Sequence, residues 1–367
     1  MAIAGKAKAP AQEERGGIRS VAGPTCFMCG SVGATIYENL SDRAFDAPGS
    51  WNVRRCPNPK CGLWWLDPVP VQDDIWKAYR SYYTHAAPAR AQDKPGFFKQ
   101  MYRACMARVR AAYLNGKYGY STEETHWTDR LVNDRLVNWF ACLLPQIAEW
   151  DMSVMFLPAR LGGSVLELGC GGGDLLCRLA ALGWRTEGVD VDRHAIENAR
   201  RKGLNVKAGR VEDLGYPSDC FDAVIMVHVI EHIHDPRRFL QECHRILKPG
   251  GQLSLVTPNA GSFLHRLFGR SWFPLEPPRH LHIFTIAAIK KLLEEAGFET
   301  VHPFTTIRDA DGLVAASRSI RRTGRFTLGS AQPLWLRMFA RMLQVFEWLL
   351  MIVDRSLGEE LTAVVRK

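Results

Sequence analysis

The sequence lacks any apolar run long and charge-free enough for a membrane-spanning helix. Its N-terminus, Met1-Ala-Ile-Ala-Gly-Lys-Ala-Lys-Ala-Pro10, holds no apolar core of signal-peptide length, so no secretory leader is expected. There is no internal repeat. A disulfide framework is also missing. Four of the ten cysteines fall in the first sixty-one residues in a paired pattern. The other six are scattered through apolar segments, where a free thiol behaves as a small hydrophobe. That usage fits a reducing compartment, and a cytoplasmic protein is expected.

What is present is ordinary globular composition. The chain has 367 residues, 47% of them hydrophobic and 23% charged, enough for a full catalytic domain and a smaller module. The net charge of +9 favours anionic partners without choosing between nucleic acid, anionic lipid and phosphorylated substrates.

Residues 1–22 are rich in Ala, Gly and charge without periodicity and read as a disordered tail. Residues 23–70 combine the paired cysteines with prolines, glycines and β-prone runs, a pattern for a compact metal-stabilised module. Residues 71–150 read as a helical linker or cap, with helices over 73–83, 96–113 and 128–150. From Ser164 short apolar runs alternate with amphipathic stretches: strands 164–168, 185–189, 204–208, 221–227 and 251–257, and helices 173–182, 193–202 and 236–247. That alternation predicts an α/β fold with a doubly wound, mostly parallel sheet. Helix 286–296 has Thr285 as N-cap and Gly297 just past its end. Strands 298–306 and 360–366 complete a seven-stranded sheet, with a helical insertion over 308–356. The larger domain therefore covers 151–367.

Strand 164–168 runs into Glu167-Leu-Gly169-Cys-Gly171-Gly-Gly173 and then a helix. Such a turn lets backbone approach a ligand and aims free amides at it. A dinucleotide site needs a third glycine three residues after the second. Asp174 stands there instead, an acid where a pyrophosphate would lie. A phosphate-free nucleoside with a cationic sulfonium and an amino-acid tail fits better. Asp190, ending the second strand, suits a pair of ribose hydroxyls.

These motifs, with Phe221-Asp-Ala-Val-Ile225, Ile230-Glu-His-Ile233 and Leu247-Lys-Pro-Gly-Gly251, make residues 150–367 resemble a class I S-adenosylmethionine-dependent methyltransferase. More narrowly they resemble its quinone- and small-molecule-methylating branch. The resemblance implies a Rossmann-like fold and S-adenosylmethionine as cofactor. It implies Glu167, Gly169, Gly171 and Gly173 at the methionine part and Asp190 at the ribose. Val211 and Glu212 would lie beside the adenine, with Val227 at the end of strand four. Arg210 departs from the Asp or Asn that relatives often carry there.

The acceptor side is less specific. A hydroxyl acceptor needs a base, and His228, Glu231 and His232 follow strand four at the edge where ligands bind in open sheets. Glu231-His232 also reads as a structural pair capping the next turn, and the three residues have spacing that a divalent metal can use. The later segment Pro278-Arg279-His280-Leu281-His282 offers Arg279 and His282 for acceptor binding and His280 as a further base. It also reads as a rigid connection at a core edge.

Cys26-Phe-Met-Cys29-Gly30 and Cys56-Pro-Asn-Pro-Lys-Cys61-Gly62 are two knuckles, four thiols suited to a structural zinc in a ribbon-like module. Arg318, Arg321, Arg322 and Arg325 precede an apolar helix from Pro333 to Val353. It reads as packing on the domain, with peripheral contact of 318–353 to an anionic membrane as the alternative. The leading expectation is O-methylation of a small-molecule acceptor. RNA methylation is the runner-up, although the Asn/Asp-Pro-Pro-aromatic motif of base-amine methylases is absent at Val229-Ile-Glu-His232. A non-catalytic zinc-ribbon interaction protein is the third reading.

Overall fold

The computed structural model describes residues 17–80, 97–121, 147–299, 301–308, 310–329 and 332–367. Most of the expected disordered tail, residues 81–83 of the first expected helix and residues 128–146 of the third lie outside these residues.

The N-terminal part forms short strands: β1 (Ser20–Val21), β2 (Ala34–Leu40), β3 (Trp51–Arg55), β4 (Trp64–Asp67) and β5 (Val69–Pro70). β1 pairs with β5, and β2, β3 and β4 form an antiparallel meander. The helix expected over 73–83 is a single 3-10 turn, Ile75–Tyr79, within the described residues. The helix Phe97–Tyr118 follows as anticipated, about a turn longer than the sequence suggested.

The central sheet uses β6 (Ser164–Leu168), β7 (Arg185–Asp190), β8 (Val206–Ala208), β9 (Phe221–Val227) and β10 (Leu247–Pro258). β11 (His282–Ile283) lies outside it, and β12 (Phe304–Thr306) and β13 (Glu360–Arg366) close it. The strand order is β12-β13-β10-β9-β6-β7-β8. The five strands from β8 to β10 are parallel, and β13 is antiparallel to both β10 and β12. This is the Rossmann-like, mostly parallel sheet that the sequence pattern predicts. Helices cover it, so β9 is buried at every position before Val227. Local chemistry sets the helix starts. Asp192 accepts from the His194 and Ala195 amides, and Thr285 accepts from the Ala288 amide. Among the described residues the expected strand 298–306 shrinks to Phe304–Thr306, with a lone bridge between Glu299 and Arg366 before it.

The N-terminal module does not close on itself. β11 pairs antiparallel with β4, His282 opposite Trp65 and Ile283 opposite Trp64, giving a four-stranded sheet β11-β4-β3-β2. Cys56, Cys61, Leu63 and Trp65 share one apolar cluster with Phe284, Ile289 and Leu292. The helix Ile286–Glu295 thus packs on the module and on the large sheet together. Among the described residues no helix is long and apolar enough to cross a membrane.

Candidate active site

The turn after β6 is built from left-handed backbone: Gly169, Gly171 and Gly173 have φ of 69°, 50° and 77°. A Cβ at Gly169 would strike Val229 Cγ2 at 2.5 Å, and one at Gly173 would strike Leu204 Cδ1 at 2.2 Å. One at Gly171 would meet nothing within 4 Å, so this position faces open space. Gly173 caps the helix Asp174–Ala181. Asp174 itself is exposed and pairs with Lys202 Nζ at 2.6 Å.

Asp190 ties the turn to the end of β7. Its Oδ2 accepts from the Gly171 amide and its Oδ1 from the Asp192 amide, each at 2.8 Å. Glu167 is buried in β6, and its Oε2 has no hydrogen-bond partner among the described residues. Burial, and then the charge of Asp190, push the Glu167 carboxyl well above its ordinary range; burial raises Asp190 as well. Two desolvated acids beside an open glycine turn favour a cationic ligand over a phosphate. That donor set fits the ammonium and ribose of S-adenosylmethionine. Val211 is buried in the turn Val211–Asp213, while Glu212 is paired with Arg210 at 3.2 Å. Val227 is half-buried at the end of β9.

The next residue, His228, has a left-handed φ of 53°, unusual for a side chain with a Cβ. Its Nδ1 lies 3.2 Å from Glu231 Oε1 and its Nε2 3.1 Å from Glu360 Oε1. Burial alone would lower the imidazole pKa, but the two carboxylates raise it to about 10. An imidazolium with both N–H groups donated has no lone pair for a proton or a metal. In this arrangement both ring nitrogens of His228, a candidate base from the sequence, are engaged by carboxylates. Glu231 is wholly buried. Burial would raise its carboxyl, but His228 brings it down to about 2, and Thr257 Oγ1 donates to Oε2 at 2.9 Å. Both of its oxygens are thus engaged, Oε1 by His228 and Oε2 by Thr257.

His232 and His280 come together, with ring centroids 4.8 Å apart in a T-shape. His232 Nδ1 donates to the Arg279 carbonyl at 3.0 Å, and His280 Nδ1 donates to the Pro274 carbonyl at 2.6 Å. This leaves the His232 Nε2 lone pair free of that bond, while His280 Nε2 lies 3.7 Å from Glu276 Oε2. Burial, and then the neighbouring His280, lower His232 to about 4, so it is neutral at physiological pH. Glu231, His232 and His280 each bring a ligand-type atom within 4.8 Å of the others, whereas His228 is drawn to Glu360.

Both residues expected at the acceptor, Arg279 and His282, are buried. Arg279 is fully buried, and its guanidinium forms a bidentate pair with Asp42 at 2.7 and 2.9 Å. It also donates to Glu276 Oε1 at 2.8 Å and to the Ala78 carbonyl at 2.9 Å. It is a rivet between the module, the 75–79 turn and the loop, not a free anion-binding group. His282 is buried in β11, its ring 5.0 Å from that of Phe27, and burial lowers its pKa to about 3. It packs the junction of the two sheets.

The four knuckle thiols gather as the spacing predicted, all within 4.8 Å of one another. Cys26 Sγ is 3.6 Å from Cys61 Sγ and Cys29 Sγ is 3.4 Å from Cys56 Sγ. Sulfurs about 2.3 Å from a tetrahedral zinc stand roughly 3.8 Å apart, so the cluster is close to that size. Gly30 and Gly62 take left-handed φ of 74° and 61° just after a cysteine. Their amides turn back to the carbonyls of Cys26 and Asn58.

Sequence reasoning missed Tyr79, whose hydroxyl lies 3.2 Å from His232 Nδ1, and the partners Asp42, Glu276 and Glu360. Tyr79, Asp42 and Glu360 each meet the site from a distant segment, whereas Glu276 lies one turn before Arg279 in the same loop.

A family description, "Methyltransferase domain", matches residues 146–303. A Mycolicibacterium smegmatis protein named "Probable S-adenosylmethionine-dependent methyltransferase" is 36% identical over 143 residues, 38% of this chain and 52% of that protein. The ubiquinone biosynthesis O-methyltransferase of Cereibacter sphaeroides is 31% identical over 166 residues, 42% of this chain and 67% of that protein. The chain thus spans about half the length of the first relative and two thirds of the second. A crystal structure of an S-adenosylmethionine-dependent methyltransferase from Mesorhizobium loti aligns at a TM-score of 0.41 and 18% identity, over 60% of this chain and 98% of that one.

Proposed function

Because the chain belongs to the S-adenosylmethionine-dependent methyltransferases, we propose that it methylates an oxygen of a small molecule: a sugar, a quinone or another secondary metabolite. One observation carries the cofactor half of this reading: the buried Glu167 Oε2, without a hydrogen-bond partner among the described residues, beside Asp190 and the open face of Gly171. When bound, S-adenosylmethionine supplies an activated methyl group on a sulfonium. Glu167 would pair with its ammonium, Asp190 would accept from its ribose hydroxyls and Val211 would pack on its adenine. Holding donor and acceptor in line is worth roughly 7–11 kcal/mol in well-oriented systems.

His232 is the proposed base. Its ring is fixed through Nδ1, and the neutral Nε2 takes the acceptor hydroxyl proton. His280, held in the same way by Pro274, is positioned beside it to share that proton. A placed base contributes about 10²–10⁴-fold. The thiol cluster is proposed to hold one structural zinc, a use of thiolates that fits a reducing, cytoplasmic setting.

RNA methylation gains no support from the module. Trp65 is buried, and the half-buried Trp64 makes a T-shaped contact with His265 at 4.8 Å, so both rings pack within the protein. Transfer of labelled methyl from S-adenosylmethionine into a metabolite extract tests the proposal. The label should enter small molecules, and His232→Ala should cut kcat about 10²–10⁴-fold with little change in KM for the cofactor. Label recovered only in RNA would overturn it.

A further inference from the structure

The helix Leu334–Val353 is unlike the others in what it leaves to solvent. Ten of its large apolar side chains are exposed. Trp335, Met338, Met342, Phe346, Leu349 and Ile352 are each 48–69% exposed and recur three or four residues apart, so they form one stripe along the helix. That is more apolar surface on one element than ordinary soluble monomers carry. The opposite face is packed: Leu336 and Ala340 are buried, and Ala340 shares an apolar cluster with Leu264, Trp272 and Val314.

The exposed charges within the helix have one sign. Within 334–353 the charged residues are Arg337, Arg341 and Glu347; the arginines are exposed and Glu347 is fully buried. The preceding helix Ala310–Thr323 brings Arg321 and Arg322 in its last turn. Arg318 stacks on the Trp335 ring with its guanidinium carbon 5.0 Å from the centroid, which joins the basic cluster to the stripe.

We propose that this face seats the protein on an anionic lipid monolayer. The helix would lie in the interface plane, its stripe among the acyl chains and its arginines at the headgroup phosphates. A second copy of the chain is a weaker fit, because within 334–353 the exposed charges are all arginines and Asp354, just past the helix, is the one exposed acid beside them. The helix is too polar to cross the bilayer, which suits seating on it. The inner face continues into the cluster containing Trp272 and Leu275, in the loop that carries His280, so the seated surface would adjoin the acceptor side. The inference is independent of the acceptor's identity.

Flotation of the full-length protein with phosphatidylcholine vesicles, with and without about one third phosphatidylglycerol, tests this. The protein should float with the anionic vesicles at least tenfold more strongly than with neutral ones, and added salt should weaken binding. Met338→Glu with Met342→Glu should abolish flotation, and Arg337→Glu with Arg341→Glu should remove the preference for anionic lipid. Calorimetric binding of S-adenosylhomocysteine should be unchanged in both variants, which separates loss of seating from loss of fold. No flotation with either vesicle, or a stable dimer in light scattering that the methionine substitutions break while vesicles are ignored, would overturn the proposal.

Discussion

His228 donates from Nε2 to Glu360 Oε1 at 3.1 Å, and so fastens the end of β9 to the start of β13 two strands away. The other side of the same ring reaches Glu231, so one cation serves two buried carboxylates. Arg308 Nη2 joins from outside, 2.8 Å from Glu360 Oε1.

Replacing this cation should expose the cost of the acids. His228→Gln is expected to destabilise the fold by about 1–3 kcal/mol, below the loss from a fully buried pair because the His228 ring is partly solvated. The folded pKa of about 10 lies above the unfolded value, so this contribution is complete below about pH 6.5 and fades as pH rises through about 10. Glu231 and Glu360, held near 2, add stability that is present above about pH 4.5 and lost as pH falls toward 2. Urea midpoints measured from pH 6 to 10 should fall in the parent protein and be flatter in His228→Gln.

Glu167 should separate binding from folding. Glu167→Gln removes a buried carboxylate with an unsatisfied oxygen, so the ligand-free protein should be no less stable and melt at the same or a higher temperature. Cofactor affinity should drop tenfold or more, about 1.4 kcal/mol, because the ammonium loses its counter-charge. Titration calorimetry with S-adenosylmethionine checks the second part; equal affinity in the two proteins would contradict the assignment.

Arg279 should behave as a structural residue. Arg279→Met leaves Asp42 buried without its bidentate partner and is expected to cost about 3–5 kcal/mol. Burial would raise the Asp42 carboxyl, but Arg279 holds it below its ordinary value, so losing the arginine should shift it upward. In denaturant titrations the midpoint should fall sharply, while the KM of the folded fraction for its acceptor stays the same.

Metal removal should reach beyond the module. One zinc per chain is expected by atomic emission. Chelation, or Cys56→Ser, should lower the melting temperature of the whole chain in a single transition, because Cys56 and Cys61 share a core with the helix Ile286–Glu295. Two separate transitions in calorimetry would mean that module and large sheet unfold independently.

Much of the architecture was legible because it is written locally. Alternation of apolar runs located the strands from β6 to β10, and Thr285 and Gly297 bounded their helix, since caps and periodicity act within a few residues. The cofactor turn was legible for the same reason: three left-handed glycines and Asp190 follow each other in one βαβ unit. The acceptor side was not. His228 and Arg279 carry functional-looking side chains, yet their roles depend on Glu360 and Asp42, partners that no local pattern points to. His232 and His280 gain their meaning only from each other and from two backbone carbonyls. Over the described part of the helix expected at 73–83, tertiary contacts of Ala78 and Tyr79 accompany a single 3-10 turn.

The last strand of the N-terminal sheet, β11, has a consequence for synthesis. As the chain leaves the ribosome, β4 must wait with a bare edge until residues 282–283 emerge to pair with it. The cysteine module is thus made first and completed late, and its final ladder forms only after the large sheet has begun to assemble. An N-terminal piece ending before β11 would keep that edge open to strands from other chains, and would be expected to aggregate where the full chain does not.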